Sequence, residues 1–223
     1  MLVAQYVLRF GVLLGLAFAA SGCAGNDFSA LKSLPPFGYI GFCVHHPRDC
    51  EDGSDHPARL ALTPARWQEL KRINGEVNAL PEISDQENYG AGNIWSYPDA
   101  KGGDCEDMAM EKQRRLMAAG WPGDALLIAT AANKDGEGHA VLIAAMKEGD
   151  LVLDNLDTTI RLWSETPYRW RAPQSSRRPY IWLNADPRRI ALTPHPDYLP
   201  LGAAALRGAG RETERARNHR ACF

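Results

Sequence analysis

Gly103-Asp104-Cys105-Glu106-Asp107-Met108-Ala109, then Gly138-His139-Ala140-Val141, then Leu151-Val152-Leu153-Asp154-Asn155: these three stretches, in this order, decide how the chain is read. The run from Glu106 to Ala119 has helical character and places Cys105 at or near a helix N-terminus. There the helix dipole and the backbone N–H groups favour a thiolate. His139 opens the apolar run Ala140 to Met146, and Asp154 ends the run Leu151 to Leu153. A short connection around Glu148-Gly149-Asp150 sets these two strands side by side as a hairpin. A Cys on a helix tip, facing a His and an Asp on neighbouring strands, is the layout of a thiol nucleophile with its base and orienting acid.

Upstream, Thr63-Pro64 opens a second helix. Thr63 is the N-cap, Pro64 takes the first helical position, Trp67, Leu70, Ile73, Val77 and Leu80 follow at helical spacing, and Pro81 closes it. A polar connection runs from Glu82 to Gly92, and Gly120-Trp121-Pro122 stops the nucleophile helix. Strands are predicted at Ala125 to Ala132, His139 to Lys147 and Leu151 to Asp154, with a further one at Tyr180 to Leu183. Asn133-Lys134-Asp135-Gly136 is a turn between the first two. Residues 24–42 read as an irregular leader, and residues 201–223 as a disordered tail rich in Ala, Gly and Arg. The sum is an α+β domain in which a nucleophile helix packs on an antiparallel sheet.

At 223 residues the chain can bury one good core, and its net charge of -2 gives no reason to expect nucleic-acid binding. Arg9 precedes the apolar stretch Phe10 to Ala20 and then Ser21-Gly22-Cys23, a segment of signal-peptide length. Small residues before a Cys resemble a lipobox, so the expectation is a signal peptide over 1–22, a lipidated Cys23 as mature N-terminus and membrane anchor, and a linker over 23–36. The folded domain is expected over 37–200, exported to the periplasm.

Export makes the other cysteines legible. Cys43 and Cys50 bracket a short loop-like segment, and in an oxidising compartment a disulfide is the natural expectation. A metal site of Cys43, His45, His46 and Cys50 is the competing idea, but its spacing fits no common zinc pattern. Cys105 is left as the nucleophile candidate, and Cys222 stands near the C-terminus. Acidic neighbours and Gly102-Gly103 argue against burial of Cys105 in an apolar core. Asn155 rivals Asp154 as the orienting residue, and the acids flanking Cys105 can equally form a solvated face at the helix tip. The backbone N–H of Cys105 is one candidate oxyanion donor, and the indole N–H of Trp95 a second.

The Gly-Asp-Cys-Glu-Asp segment, the Gly-His-Ala-Val strand and the Leu-Val-Leu-Asp-Asn strand resemble the bacterial transglutaminase-like cysteine proteinases (BTLCP), whose best-known members are the LapG-type periplasmic proteases. The likeness runs from about Phe37 to Leu183 and takes in the Cys43 to Cys50 loop, the Trp95 region and Tyr168-Arg169-Trp170. It implies a papain-like, transglutaminase-like core with Cys105 as nucleophile, His139 as base and Asp154 as orienting acid. It further implies calcium, with Asp104 and Glu106 at the positions linked to the ion, and a protein substrate such as a surface adhesin. Two other functions use the same residues differently. A transglutaminase or amidase would employ the same triad, and a non-catalytic calcium-sensing or envelope-binding module would leave it idle.

Overall fold

The computed structural model describes residues 32–51, 59–176 and 178–183. The signal segment, Cys23, the tail from 201 onward and Cys222 lie outside the described residues. Among the described residues, four α-helices and seven strands follow in order: β1 (Lys32–Ser33), α1 (Phe37–His45), α2 (Pro64–Asn78), α3 (Asp85–Tyr89), α4 (Cys105–Ala118), β2 (Leu126–Ala132), β3 (Gly138–Met146), β4 (Gly149–Leu153), β5 (Arg161–Leu162), β6 (Arg169–Pro173) and β7 (Trp182–Leu183).

The five-stranded sheet has the order β5-β4-β3-β2-β6 and is antiparallel throughout. β3 is its central strand, buried along its whole length, and α4 lies across it. Two apolar faces result, because side chains alternate along a strand. Leu126, Ile128, Leu142, Ala144, Met146, Leu151 and Leu153 meet Met108, Ala109 and Leu116 of α4 and Leu70, Ile73 and Val77 of α2. The opposite face gathers Ala129, Ala131, Val141, Ile143 and Val152 against Trp170, with Trp163 and Tyr168 packed on it. Trp163 and Trp170 stack with ring centroids 3.6 Å apart.

The α+β architecture agrees with the sequence reading. α2 starts as expected: the Thr63 hydroxyl accepts the Arg66 N–H at 3.2 Å, and Pro64 occupies the first turn. It ends at Asn78, earlier than Pro81 suggests. The hairpin of β3 and β4 forms with Leu142 opposite Leu153, which leaves Asp154 one residue past the strand end.

Four expectations need correction. Residues 24–42 are not irregular throughout, since α1 begins at Phe37, and the Val44–Asp49 loop is in fact the end of α1 followed by one 3₁₀ turn. α1 has no side-chain cap at Pro36, so its start carries no local signal. It is held by tertiary packing: Tyr39 contacts Trp95 and Trp182 edge-on, and Cys43 is joined to Cys50 by the expected disulfide. Within the expected linker, Lys32–Ser33 pair with Trp182–Leu183 as β1 and β7. The connection 82–92 contains α3, opened by a capping box between Ser84 and Glu87.

Candidate active site

The loop before α4 is shaped by two glycines. Gly102 has φ +115°, and a Cβ there would fall 1.9 Å from the carbonyl oxygen of Pro81. A side chain is excluded on both counts. Gly103 passes its N–H to Pro81 O at 3.2 Å and receives the N–H of Ile83 on its own carbonyl at 3.2 Å. These bonds fasten the segment that leads into α3 against the turn that leads into α4.

Cys105 is the first residue of α4 and is 1% exposed, yet it is not a member of the apolar core cluster, a placement against which its acidic neighbours argued. Its Sγ accepts the backbone N–H of Ala140 at 3.2 Å and lies 3.2 Å from Glu106 Oε2. The sulfur is thereby set beside the first residues of β3, where His139 stands. His139 Nε2 is 2.9 Å from Asp154 Oδ1, with both side chains buried. Oδ1 also accepts the Leu156 N–H at 2.9 Å, and the Tyr168 hydroxyl donates to Oδ2. Asn78 of α2 donates from Nδ2 to the Asp154 carbonyl at 2.7 Å.

Burial alone would raise the Asp154 carboxyl. The charge of His139 and the bonds from His139, Tyr168 and Leu156 outweigh it, and its pKa is held below the ordinary value of 3.8. Tyr168 moves upward, by burial first and by the adjacent Asp154 charge second. Its ring meets His139 edge-on, with centroids 5.2 Å apart. The imidazole partner is therefore Asp154, and the rival Asn155 does not fill that place.

The structure thus brings together all three residues singled out in the sequence. Tyr168 is an addition. It was visible only as part of the Tyr168-Arg169-Trp170 likeness, because the short β6 that positions it carries no strong strand pattern. Trp95 is a correction: its indole N–H donates to Asn93 Oδ1 at 3.0 Å within the aromatic core, and is not directed to oxyanion duty.

A second cluster adjoins the thiol. Asp104, in the N-cap position of α4, makes no capping bond and turns instead toward Asp85 and Glu106. One carboxylate oxygen from each of the three lies within 4.8 Å of the others, and all three residues are buried, not a solvated face. Both carboxylate oxygens of Asp104 and Oε1 of Glu106 have no hydrogen-bond partner. Burial, then the charge of Asp85, pushes Asp104 up to about 7. Burial, then Asp104, pushes Glu106 well above its usual range and Asp107 up to about 8. Asp107 stands apart from the three, since its Oδ1 accepts the Ser96 N–H at 2.8 Å.

Buried carboxylates with orphaned oxygens cost several kcal/mol or more unless protonated or paired with a cation. Hard oxygen donors converging at this spacing suit a divalent ion such as calcium. Asp104 and Glu106 are the two metal candidates read from the sequence. Asp85 is new, and the signal that could have found it was the Ser84-Asp85-Gln86-Glu87 capping box, which marks a helix start inside an otherwise polar connection.

The model of the family "Bacterial transglutaminase-like cysteine proteinase BTLCP" matches residues 30–189. Among solved structures, Legionella pneumophila LapG is similar at 29% identity and a TM-score of 0.46, covering 55% of this chain and 69% of that one. Calcium-bound LapG of the same organism is similar at 29% identity and a TM-score of 0.47, covering 66% and 81%. The EGTA-treated form is similar at 27% identity and a TM-score of 0.46, covering 58% and 72%. No curated protein matches the chain. With the match running from before β1 to beyond β7, the chain belongs to the bacterial transglutaminase-like cysteine proteinase family and is a transglutaminase-like cysteine peptidase.

Proposed function

We propose that this peptidase is exported and cleaves peptide bonds in a periplasmic or cell-surface protein through Cys105, His139 and Asp154. The observation that carries the reading is the 2.9 Å contact between His139 Nε2 and Asp154 Oδ1, beside a thiol that accepts the N–H of the very next residue, Ala140. With Nε2 engaged by Asp154, Nδ1 is the ring nitrogen left to exchange a proton with Sγ. In the reduced enzyme, His139 takes the Cys105 proton and the thiolate attacks the scissile carbonyl carbon. The backbone N–H of Cys105, at the helix start, is the candidate donor to the oxyanion.

Collapse of the tetrahedral intermediate breaks the C–N bond. The leaving amine takes the proton from His139, and a thioester remains on Cys105. His139 then removes a proton from water, the hydroxide adds to the thioester carbonyl, and Sγ leaves with a proton returned from His139. Asp154 keeps the imidazole in one tautomer and stabilises its charged form, while Tyr168 and Leu156 fix the carboxylate.

Asp85, Asp104 and Glu106 are the residues that would hold calcium. Bound there, the cation would neutralise carboxylates beside the thiol and tie the α3 start to the α4 tip. Support for export comes from the Cys43–Cys50 disulfide, which suits an oxidising compartment, together with the signal-like segment and lipobox-like Cys23. A surface adhesin is the substrate class that the family resemblance suggests.

The test is labelling of the reduced protein by a peptidyl vinyl sulfone, with the modified residue located by digestion and mass spectrometry. Cys105 is expected to react, and His139→Ala to suppress the reaction. Labelling no faster than that of an unfolded control would sink the triad reading. Incubation of protein substrate with a labelled amine separates hydrolysis from amine transfer, and cleavage without incorporation is the expected result.

A further inference from the structure

One face of α1 is buried and the other is bare, although both are apolar. Gly38, Tyr39, Phe42 and Cys43 are buried, with Tyr39 edge-on to Trp95 and Trp182 and Cys43 bonded to Cys50. Gly38 is a point of close approach, since a Cβ there would fall 2.1 Å from Cδ1 of Trp95. Phe37, Ile40 and Val44 recur three and four residues apart, the spacing of one helix face. Phe37 is 84% exposed and Val44 72%, and Leu34, just ahead of the helix, is 85% exposed. The packed face and the disulfide hold the helix in place, so this stripe is presented to the outside by a fixed element. A contiguous apolar surface of this kind marks an interaction site.

The charges around it suit an anionic surface. No carboxylate stands between residues 28 and 48, and the helix runs out into His45, His46 and the exposed Arg48. The next acid, Asp49, is engaged by the Tyr97 hydroxyl and by His46. With nine residues α1 is too short to cross a bilayer. An apolar helix face bordered by basic residues is instead the pattern of a segment that lies in the headgroup region.

The length of chain ahead of the fold says which surface is in reach. Eight residues, 24–31, separate Cys23 from Lys32, a span of at most about 30 Å. A domain of this size is itself roughly 40 Å across. β1 fastens the end of that tether to β7, and Trp182 of β7 packs on Tyr39 of α1. A lipid on Cys23 therefore brings the α1 side of the domain to the bilayer first.

We propose that Leu34, Phe37, Ile40 and Val44 form a membrane-docking stripe, and that its occupant is the headgroup–acyl boundary of the bilayer that holds the Cys23 lipid. The lipid supplies the tether and the stripe supplies the orientation. With the α1 face down the domain no longer turns freely about its linker, and Cys105 sits at one height above the membrane. The substrate class is thereby narrowed to polypeptide that runs within a domain's width of the bilayer. The inference deepens the reading of an exported peptidase with a lipid-bearing Cys23 and rests on it.

The experiment places a photoreactive group in the stripe. Phe37→p-benzoylphenylalanine is made in the full chain, processed in cells, and reconstituted into vesicles of three parts phosphatidylethanolamine to one of phosphatidylglycerol. Irradiation joins position 37 to whatever covers it, and digestion with mass spectrometry identifies the adduct. The control is Thr159→p-benzoylphenylalanine, exposed ahead of β5 at the opposite edge of the sheet. A phospholipid adduct at position 37 and none at position 159 is expected, and adding Val44→Asp is expected to lower the position 37 yield several-fold.

Equal yields at the two positions would mean a domain tumbling on its tether. A dimer cross-linked through position 37 would mean that a second copy covers the stripe. Either result overturns the proposal, as does a position 37 that couples to nothing. The N-terminal peptide in the same spectra reads the anchor. A lipidated Cys23 with no lipid at position 37 removes this inference alone, and an unmodified Cys23 removes the anchor and the inference with it.

Discussion

Asp154 spends both of its carboxylate oxygens on orienting groups: Oδ1 takes His139 Nε2 at 2.9 Å, and Oδ2 takes the Tyr168 hydroxyl. The carboxylate is 4% exposed, so these bonds replace the water it would otherwise hold. Replacing it by an amide keeps the shape but offers the ring a donor where it needs an acceptor. Asp154→Asn is expected to fold and to lose about 10³- to 10⁴-fold in kcat/KM, the scale found when a triad acid becomes an amide. Steady-state kinetics beside a far-UV circular dichroism spectrum would check it. Retention of more than a tenth of the activity would assign the orienting role elsewhere.

Tyr168 touches the same carboxylate without touching the reacting atoms. Removing its hydroxyl deletes one bond to a charged acceptor, which is worth about 1.5–3 kcal/mol in stability when the acceptor is left buried. Tyr168→Phe is expected to lower the melting temperature by several degrees and kcat by roughly tenfold, with KM little changed. A change confined to KM would instead place Tyr168 in substrate binding.

How much of this was legible in the sequence depended on whether local rules and tertiary placement agreed. The α4 tip and the β3–β4 hairpin were readable because helical and alternating apolar patterns begin and end beside the chemistry-bearing residues. α1 was not, because Phe37, Ile40 and Val44 are exposed while Tyr39, Phe42 and Cys43 are buried. A helix apolar on all sides has no amphipathic signature. Asp85 was missed because a five-residue helix is too short for periodicity. Only the fold, through the Pro81–Gly103 bonds, brings it to Asp104. Lys112 lay seven residues along α4 from Cys105, at a readable spacing. Its burial, however, is set by the sheet above it, and no local pattern distinguishes that from a solvated lysine.

The acidic cluster predicts a strong response to calcium. A ligand that binds only the folded state stabilises by about 2.7 kcal/mol at a hundredfold excess over its Kd. Calcium is expected to raise the melting temperature by roughly 5–10 °C relative to chelated protein, the usual conversion for a domain of this size. Asp85→Asn, outside α4, is expected to abolish most of that shift. Differential scanning calorimetry with calcium and with EGTA would decide, and an unchanged calcium response in Asp85→Asn would take that residue out of the site.

Gly102 connects the same cluster to the backbone. Its φ of +115° and the 1.9 Å clearance to Pro81 O leave no room for a methyl group. Gly102→Ala must therefore push the Pro81 segment, and Asp85 with it, away from the α4 tip. The expected cost is about 2–3 kcal/mol of stability, accompanied by weaker calcium binding. Isothermal titration with calcium would measure the second effect. Loss of stability with unaltered affinity would mean that the two segments are not coupled through this turn.

Lys112, buried on α4, should leave a signature in stability. Its folded pKa, about 7, lies below the ordinary 10.5, so between those values the unfolded chain binds more protons than the folded one. Stability therefore rises with pH across that window, by at most about 1.4 kcal/mol per pH unit for a single group. Below pH 7 both states hold the proton and the slope vanishes. Lys112→Met lacks the titration altogether. The difference in unfolding free energy between wild type and Lys112→Met is thus expected to be flat from pH 5.5 to 6.5. It should then shift in favour of wild type from about pH 7 to 9.5, at calcium held constant. Urea unfolding at stepped pH measures it, and a difference that stays level across the whole range would mean that the lysine keeps its ordinary proton affinity inside the fold.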